Sequence, residues 1–470
     1  MSTDLRSRRD VRARSARRRF TVAFAAVVGA LALLVGAGAV VSLTQGPRIS
    51  EVQVDPRAAT EAAGSRVILT ANQALAAIDP SQVRIEPEAA HTVDAAGRDI
   101  GIRFTAPLDD DTDYRIRIDG VRSLGGGPAA TLETSFRTPP AEFLMLERDP
   151  EGDDTIFRTG LDGDREAVAT HPEIDDFRAT SDALVISVRE DGRARLIVTD
   201  RDGSNPRDVA LPGDGMLTSL QVSERAGRIG YVYSDLPDAS GQMGVQSVLY
   251  LSSLRDPEAA PEPVEVGGEA PSVDRWRFVP DATALLMIDF DGELTLVEPE
   301  GGEPGYLGNA LTIDAVTRGT YTAIVERIDA GLVSLDLATG EETPIAEPDP
   351  SPGQLGFVAP LPDGSSVRQY AVLGPDGLPD AAAVVHVSAE GEASELTRVA
   401  APDVMQQLCV SPSGRYAAVL VAPDLVDNPY DSATQPLPER LETRIVEIGS
   451  GEQVATLPGF GISWCAVGPW

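Results

Sequence analysis

Few residues in this chain have the types and spacing that chemistry needs. It contains three histidines, His91, His171 and His386, each far from the others in sequence. No HExxH, no Cys/His ligand pairing and no GxSxG is present, so zinc-assisted hydrolysis and nucleophile-elbow chemistry lack their parts. There is no lysine anywhere, which removes Schiff-base catalysis and a Walker-type phosphate loop. Carboxylates are abundant, 73 Asp and Glu against 39 basic residues, so a paired-carboxylate glycosidase has candidates everywhere and none that stands out. No catalytic residue and no metal ligand is assigned, and the expectation is that the chain is not an enzyme.

Two cysteines remain, Cys409 and Cys465. A pair of this kind fits an oxidising compartment. A disulfide between them is the expectation, and two buried thiols with a packing role are the alternative. A bridge would close a loop of about 56 residues.

Binding is the other chemistry to look for, and loop residues carry it most often. Three connections are long: Ser234 to Val245, Gly374 to Ala381, and Ala422 to Arg440. They offer Asp235, Asp238, Asp424, Asp427, Asn428, Tyr430 and Asp431 as candidate ligand or partner residues. The oxygens of Ala422–Arg440 are of the type that holds Ca²⁺, but their spacing misses the EF-hand pattern, so no cofactor is assigned. Tyr430 would serve as an aromatic contact.

The elements that position these residues follow from length and charge. A chain of 470 residues exceeds one ordinary core. Residues 1–19 hold eight arginines and two acids and read as a basic cytoplasmic tail. Residues 20–44 carry no charge and are long enough, as a helix, to cross a hydrocarbon core of about 30 Å. The arginines place the remainder outside the cytoplasm. The competing reading is a signal peptide cleaved after Ala37-Gly38-Ala39, which leaves the protein secreted. Beyond the tail the chain is strongly acidic, which repels phosphate backbones and excludes nucleic acid as a partner.

Residues 45–140 read as six or seven short strands with polar/apolar alternation, as in Arg66–Thr70, Ile100–Phe104 and Tyr114–Ile118, and so as a β-sandwich. The phrases RISEVQVDP, SRVILTANQAL and IRFTAPLDDDTDYRIRIDG, closed by SFRTPP, resemble the bacterial Ig-like domain of envelope proteins. That family implies a spacer or adhesive role and no shared catalytic residues.

Residues 141–470 repeat a unit of about 35–50 residues. Phrases such as FVPDATALLMI and CVSPSGRYAAVLV precede an interior strand. TDRDGSNPRDV (Thr199–Val209), VSLDLATGEETPI and RIVEIGSGEQVATL join the last two strands of a unit. Sheets of this kind have two apolar faces and must pack radially to bury both. The pattern resembles the TolB-like, WD40-related β-propeller repeat. Seven blades are counted, with six and eight as alternatives. The segment FGISWCAVGPW (Phe460–Trp470) aligns its WCAVGP with LCVSPSG. It is expected to supply the missing innermost strand of the first blade and so close the ring.

The fold expected is therefore all-β, with one N-terminal transmembrane helix, an Ig-like sandwich and a seven-bladed propeller. The function expected is a membrane-anchored, extracytoplasmic, non-catalytic binding or scaffold protein of the cell envelope. It would contact the membrane through residues 20–44 and bind an envelope protein or glycan. The alternative is an exported propeller hydrolase or lyase acting on an envelope polysaccharide. A scaffold needs a broad face with exposed apolar residues; an enzyme needs an open channel with converging acids.

Overall fold

The computed structural model describes residues 21–31, 33, 46–280, 282–318 and 320–469. Residues 21–31 are helical. Among the described residues no helix is long and apolar enough to cross a membrane. The basic tail and the rest of the expected anchor, apart from Leu33, lie outside the described residues. Among the described residues from Ile49 onward, the regular structure is antiparallel sheet with two short helical turns and one six-residue helix.

Two compact units divide the chain. The first holds seven strands: β1 (Ile49–Val54), β2 (Arg66–Ala71), β3 (Val83–Glu86), β4 (His91–Ala96), β5 (Asp99–Phe104), β6 (Asp113–Val121) and β7 (Ala130–Arg137). They form two sheets, ordered β1-β2-β5-β4 and β3-β6-β7. Alternation does what it must: Tyr114, Ile116 and Ile118 of β6 are buried while Arg115 and Arg117 between them are exposed. His91 begins the edge strand β4, its Nδ1 2.7 Å from the carbonyl of Ala89.

The second unit holds the remaining strands, together with two segments, Pro56–Ser65 and Thr105–Thr112, that interrupt the first unit in sequence. Its strands form seven sheets in chain order. The first sheet has three, β8 (Glu142–Glu147), β9 (Asp154–Gly160) and β10 (Arg165–His171). Six four-stranded meanders follow. The second comprises β11 (Ile174–Ala179), β12 (Ala183–Glu190), β13 (Arg193–Asp200) and β14 (Arg207–Asp208). The third comprises β15 (Met216–Ser223), β16 (Arg228–Ser234), β17 (Val248–Ser253) and β18 (Glu262–Pro263). The fourth comprises β19 (Val273–Phe278), β20 (Leu285–Asp289), β21 (Glu293–Val297) and β22 (Gly305–Asn309). The fifth comprises β23 (Thr312–Thr317), β24 (Thr322–Arg327), β25 (Gly331–Asp336) and β26 (Glu342–Pro344). The sixth comprises β27 (Gln354–Pro360), β28 (Ser366–Leu373), β29 (Pro379–Val387) and β30 (Ala393–Ala400). The seventh comprises β31 (Val404–Val410), β32 (Tyr416–Ala422), β33 (Glu442–Glu447) and β34 (Gln453–Pro458).

From the second sheet to the seventh, the leading strand of each lies against the leading strand of the next. The second strands are buried on both faces, as Tyr416–Ala422 is along its whole length. That requires packing on each side, and most neighbouring sheets share one apolar cluster. Leu286 and Ile288 of the fourth sheet meet Ala323 and Val325 of the fifth; Val367 of the sixth meets Val419 of the seventh. The seventh packs on the first through Phe143, Met145, Tyr416 and Ile445. This is a propeller-like, all-β arrangement.

The segment after β34 returns to the first sheet. Leu146 and Phe460 exchange backbone hydrogen bonds of 2.8 Å in both directions, and the Ser463 amide donates to Leu144 at 2.9 Å. The pairing is a single bridge followed by a turn, shorter than the strand expected. Gly459 and Gly461, at φ 101° and 66°, take the backbone out of strand geometry on either side of Phe460. Cys409 and Cys465 form the disulfide, with Cα atoms 5.6 Å apart. Trp464 packs beside it, stacked on Tyr416 and tilted against Phe143.

Candidate functional site

In a set of like meanders stacked by their leading strands, loops of one kind emerge on one side. Hydrogen bonds within the second unit trace both sides. On the first, here called the upper face, the loop between the second and third strands of a sheet meets a link between consecutive sheets. The Ala310 amide donates to Gly292, Val273 to Ser247, and Leu425 to Pro402. On the lower face the other two kinds of turn meet: Arg201 donates to Asp182, Leu254 to Gly227, and Ile448 to Arg415. Pro56–Ser65 and Thr105–Thr112 also lie on the lower face. Arg415 there donates to the Asp110 carbonyl at 2.8 Å, and Arg201 pairs with Glu61 at 3.5 Å.

The predicted loop residues gather on the upper face, but most are occupied with folding their own loops. Asp235 accepts the Tyr233 hydroxyl and the Val245 amide, each at 2.7 Å, and so closes its loop at the base. Asp238 caps a turn by accepting from the Ser240 hydroxyl and amide and the Gln242 amide. The Ser240 hydroxyl, followed by the two amides, holds its carboxyl below the ordinary aspartate range. Asn428 is buried and spans the neck of Ala422–Arg440. Its Nδ2 donates to the carbonyls of Pro423 and Arg440, and its Oδ1 accepts the Arg440 amide. Asp424 adopts φ 45° and its amide donates to Asp403. Asp427 ends a 3₁₀ turn, its carbonyl accepting from Arg440 at 2.6 Å.

Asp431 is the strongest of these anchors. It pairs with Arg148 of the β8–β9 loop at 2.6 Å, and its other oxygen accepts the Ala433 and Leu437 amides. The loop then reaches the second sheet, where the Thr434 amide and hydroxyl donate to Asp175, and Ser432 accepts from Arg189. Ala422–Arg440 is thus a strap fastened across the first sheet to the second. Between strap and second sheet lies a cavity of about 360 Å³ lined by Glu173, Arg189, Met216, Ser432 and Thr434, among others. Sequence reasoning found the strap and missed its anchors Arg148, Asp175 and Arg189, because nothing in a linear chain pairs residues so far apart.

The carboxylates of the strap do not converge. Among the described residues no group of three His, Cys, Asp or Glu is placed to hold a metal ion. The remaining histidines have local partners: His171 Nε2 lies 3.2 Å from Glu190, and His386 Nε2 lies 3.1 Å from the Ser365 hydroxyl.

The leading strands carry a buried polar set. Arg178 of β11 is 6% exposed and donates through Nη1 to Asp176 at 2.7 Å, while its Nε and Nη2 have no hydrogen-bond partner. Burial raises the Asp176 carboxyl above its usual range against the pull of Arg178. Asp314 of β23 is pushed up to about 6, chiefly by burial, and the Arg277 guanidinium of β19 is pushed down to about 10 by the same cause. The cavity beside Asp176 measures about 10 Å³, the room of one water and far less than a sugar ring.

What the upper face does offer is apolar surface. On the loops between second and third strands and at the end of β28, the exposed large side chains are Met243, Val245, Phe290, Ile328, Leu373, Leu378, Val426 and Tyr430. At the links and strand starts beside them are Met216, Leu311 and Val404. Among the described residues of the second unit, one further exposed large apolar side chain exists, Tyr306 on an outermost strand. The lower-face turns contribute none.

No family model matches the chain, and no curated protein matches it. Among solved structures, a chain of the "Crystal Structure of Mitotic Checkpoint Complex" is similar at TM-score 0.39 and 12% identity. The match covers 58% of this chain and 82% of that one. A chain of the "Crystal structure of Nidogen/Laminin Complex" is similar at TM-score 0.36 and 9% identity, covering 69% of this chain and all of that one.

Proposed function

We propose that this is a membrane-anchored, extracytoplasmic binding protein of the cell envelope that works without catalysis. In this reading the second unit is a seven-bladed propeller of the TolB-like, WD40-related kind, closed by residues 460–465. The first is an Ig-like spacer. Its strand order, β1-β2-β5-β4 beside β3-β6-β7, corresponds to the ABED and CFG sheets of a constant-type Ig sandwich. The disulfide suits an oxidising compartment outside the cytoplasm.

One observation carries the reading: the exposed large apolar side chains of the second unit crowd onto the upper face. Isolated exposed apolar residues are ordinary, whereas a one-sided set marks an interaction surface. The hydrolase alternative has less support. The acids with raised pKa on the leading strands, Asp176 and Asp314, are half-buried, Asp176 is committed to Arg178, and the cavity beside it is only about 10 Å³.

Crosslinking at the cell surface followed by co-purification tests this. A specific partner lost on substituting Val426 and Tyr430 by Ser supports the reading. Cleavage of an envelope polysaccharide by the purified protein, with no crosslinked partner, overturns it.

A further inference from the structure

Two tight turns on the upper face carry side chains their own folding does not need. The β20–β21 turn is Phe290-Asp291-Gly292, and the β24–β25 turn is Ile328-Asp329-Ala330. Such tips favour Gly, Asn and Asp. The first is held by Asp289, whose Oδ1 accepts the Asp291 and Glu293 amides, and by Gly292 at φ 81°. In the second, Gly331 takes the positive φ, 66°. Phe290 and Ile328 contribute to neither, and stand 65% and 71% exposed.

The link between the two sheets makes them neighbours. The Ala310 amide donates to Gly292 at 2.9 Å, and the next residue, Leu311, donates its amide to Glu326 at 2.8 Å. Arg327 reaches the Asn309 carbonyl at 2.6 Å. Leu311, itself exposed, therefore sits between the two tips. Each tip residue is followed at once by an exposed aspartate, Asp291 or Asp329, and among the described residues neither forms an ion pair.

We propose that Phe290, Leu311 and Ile328, with Asp291 and Asp329, form a docking sector for a basic protein segment carrying apolar anchors. This rests on the binding-protein reading and adds the place and the partner's chemistry. Charge complementarity selects the occupant. Apolar tips alone would suit any greasy surface, but tips fringed by carboxylates on a chain of net charge −34 repel a second copy, an anionic bilayer and nucleic acid alike. Cationic side chains between apolar ones satisfy both features. The sector is separate from the strap, which lies against the first and second sheets.

The test is fluorescence anisotropy with the full chain in detergent and a 16-residue probe peptide alternating Arg with Leu and Phe. One comparison peptide replaces Arg by Glu; another replaces Leu and Phe by Ser. The basic apolar probe is expected to bind at least about tenfold more tightly than either. Phe290→Ser with Ile328→Ser should weaken it about tenfold or more. Asp291→Asn with Asp329→Asn should weaken it several-fold and flatten its salt dependence. The lower-face control of equal charge change, Glu390→Gln with Glu392→Gln, should leave binding within about twofold.

Unaltered binding in the Phe290/Ile328 variant overturns the proposal. So does a loss in the Glu390/Glu392 control that matches the Asp291/Asp329 variant, since that is mere net charge. A dimer of the wild-type chain, seen by sedimentation and abolished by the Phe290/Ile328 change, assigns the sector to a second copy and also overturns it. If crosslinking to a surface partner persists in the Phe290/Ile328 variant and fails in the Val426/Tyr430 variant, this inference falls while the broader reading stands.

Discussion

Arg148 and Asp431 form an ion pair of 2.6 Å between the loops of the first and seventh sheets, with side chains only 11% and 17% exposed. Arg148 also donates to the carbonyls of Ile174 and Asp175, so one guanidinium fastens three sheets. Removing one partner of a buried pair leaves the other charge uncompensated. Asp431→Asn and Arg148→Met are each expected to cost about 2–3 kcal/mol. A double-mutant cycle in urea should show coupling of at least about 1 kcal/mol, and proteolysis of the singles should begin within residues 423–440.

Asp176 and Arg178 test the same principle deeper inside. Arg178→Met strands a buried carboxyl and is expected to destabilise by about 3 kcal/mol. Asp176→Asn combined with Arg178→Met removes both charges together with the two unpartnered guanidinium nitrogens. The double variant should recover most of that loss in equilibrium denaturation.

The Cys409–Cys465 bridge spans 56 residues of sequence. Loop-entropy arithmetic assigns such a crosslink about 4 kcal/mol. Reduction, or Cys465→Ser, should lower the denaturation midpoint accordingly. Amides of β8 and of residues 460–463 should lose hydrogen-exchange protection before those of the fourth and fifth sheets.

Asp314 contributes a pH dependence of opposite sign to the usual aspartate. Burial raises its folded-state pKa to about 6, against Thr312, the Val358 amide and Arg277, which favour the ionised form. The folded state thus binds the proton more tightly than the unfolded one. Its contribution is most favourable below the unfolded value near 4 and is lost as pH rises through about 6. Asp314→Asn should therefore stabilise the protein at pH 7 relative to pH 4.5, by about 2 kcal/mol. Urea midpoints of variant and wild type across that range check the sign.

Trp276 occupies space that only glycine at position 230 leaves open. A Cβ built on Gly230 would lie 2.3 Å from the indole ring. Gly230→Ala should cost about 2 kcal/mol by overpacking, and Trp276→Leu in the same chain should recover part of it. Thermal unfolding reads both.

Strands were legible wherever one local pattern sufficed. The alternation of Tyr114, Ile116 and Ile118 announces β6, and Tyr416–Ala422 announces a strand buried on both faces. Even the degenerate phrases ATSDALVISV and VSERAGRIGYV form β12 and β16. His91–Ala96 was not picked out, because HTVDAA has a weak apolar rhythm and pairs only along an edge. The site was less readable than the fold. Spacing marked Ala422–Arg440 as a long loop but could not reveal that Asp431 is spent on Arg148 and Asn428 on Arg440. Phe290 and Ile328 sit on three-residue turns, which loop length does not single out. Their signal was a bulky side chain placed where a turn prefers a small polar one.

Phe460 supplies backbone partners to Leu146, and Ser463 caps the Leu144 amide across 319 residues. During synthesis β8 therefore emerges long before its partner exists. Until residues 460–463 have left the ribosome, its edge stays open, and each truncation upstream of them harms the beginning of the second unit as much as its end. A product shortened before residue 460 leaves β8 with an unpaired edge, the kind of edge that templates pairing with another chain.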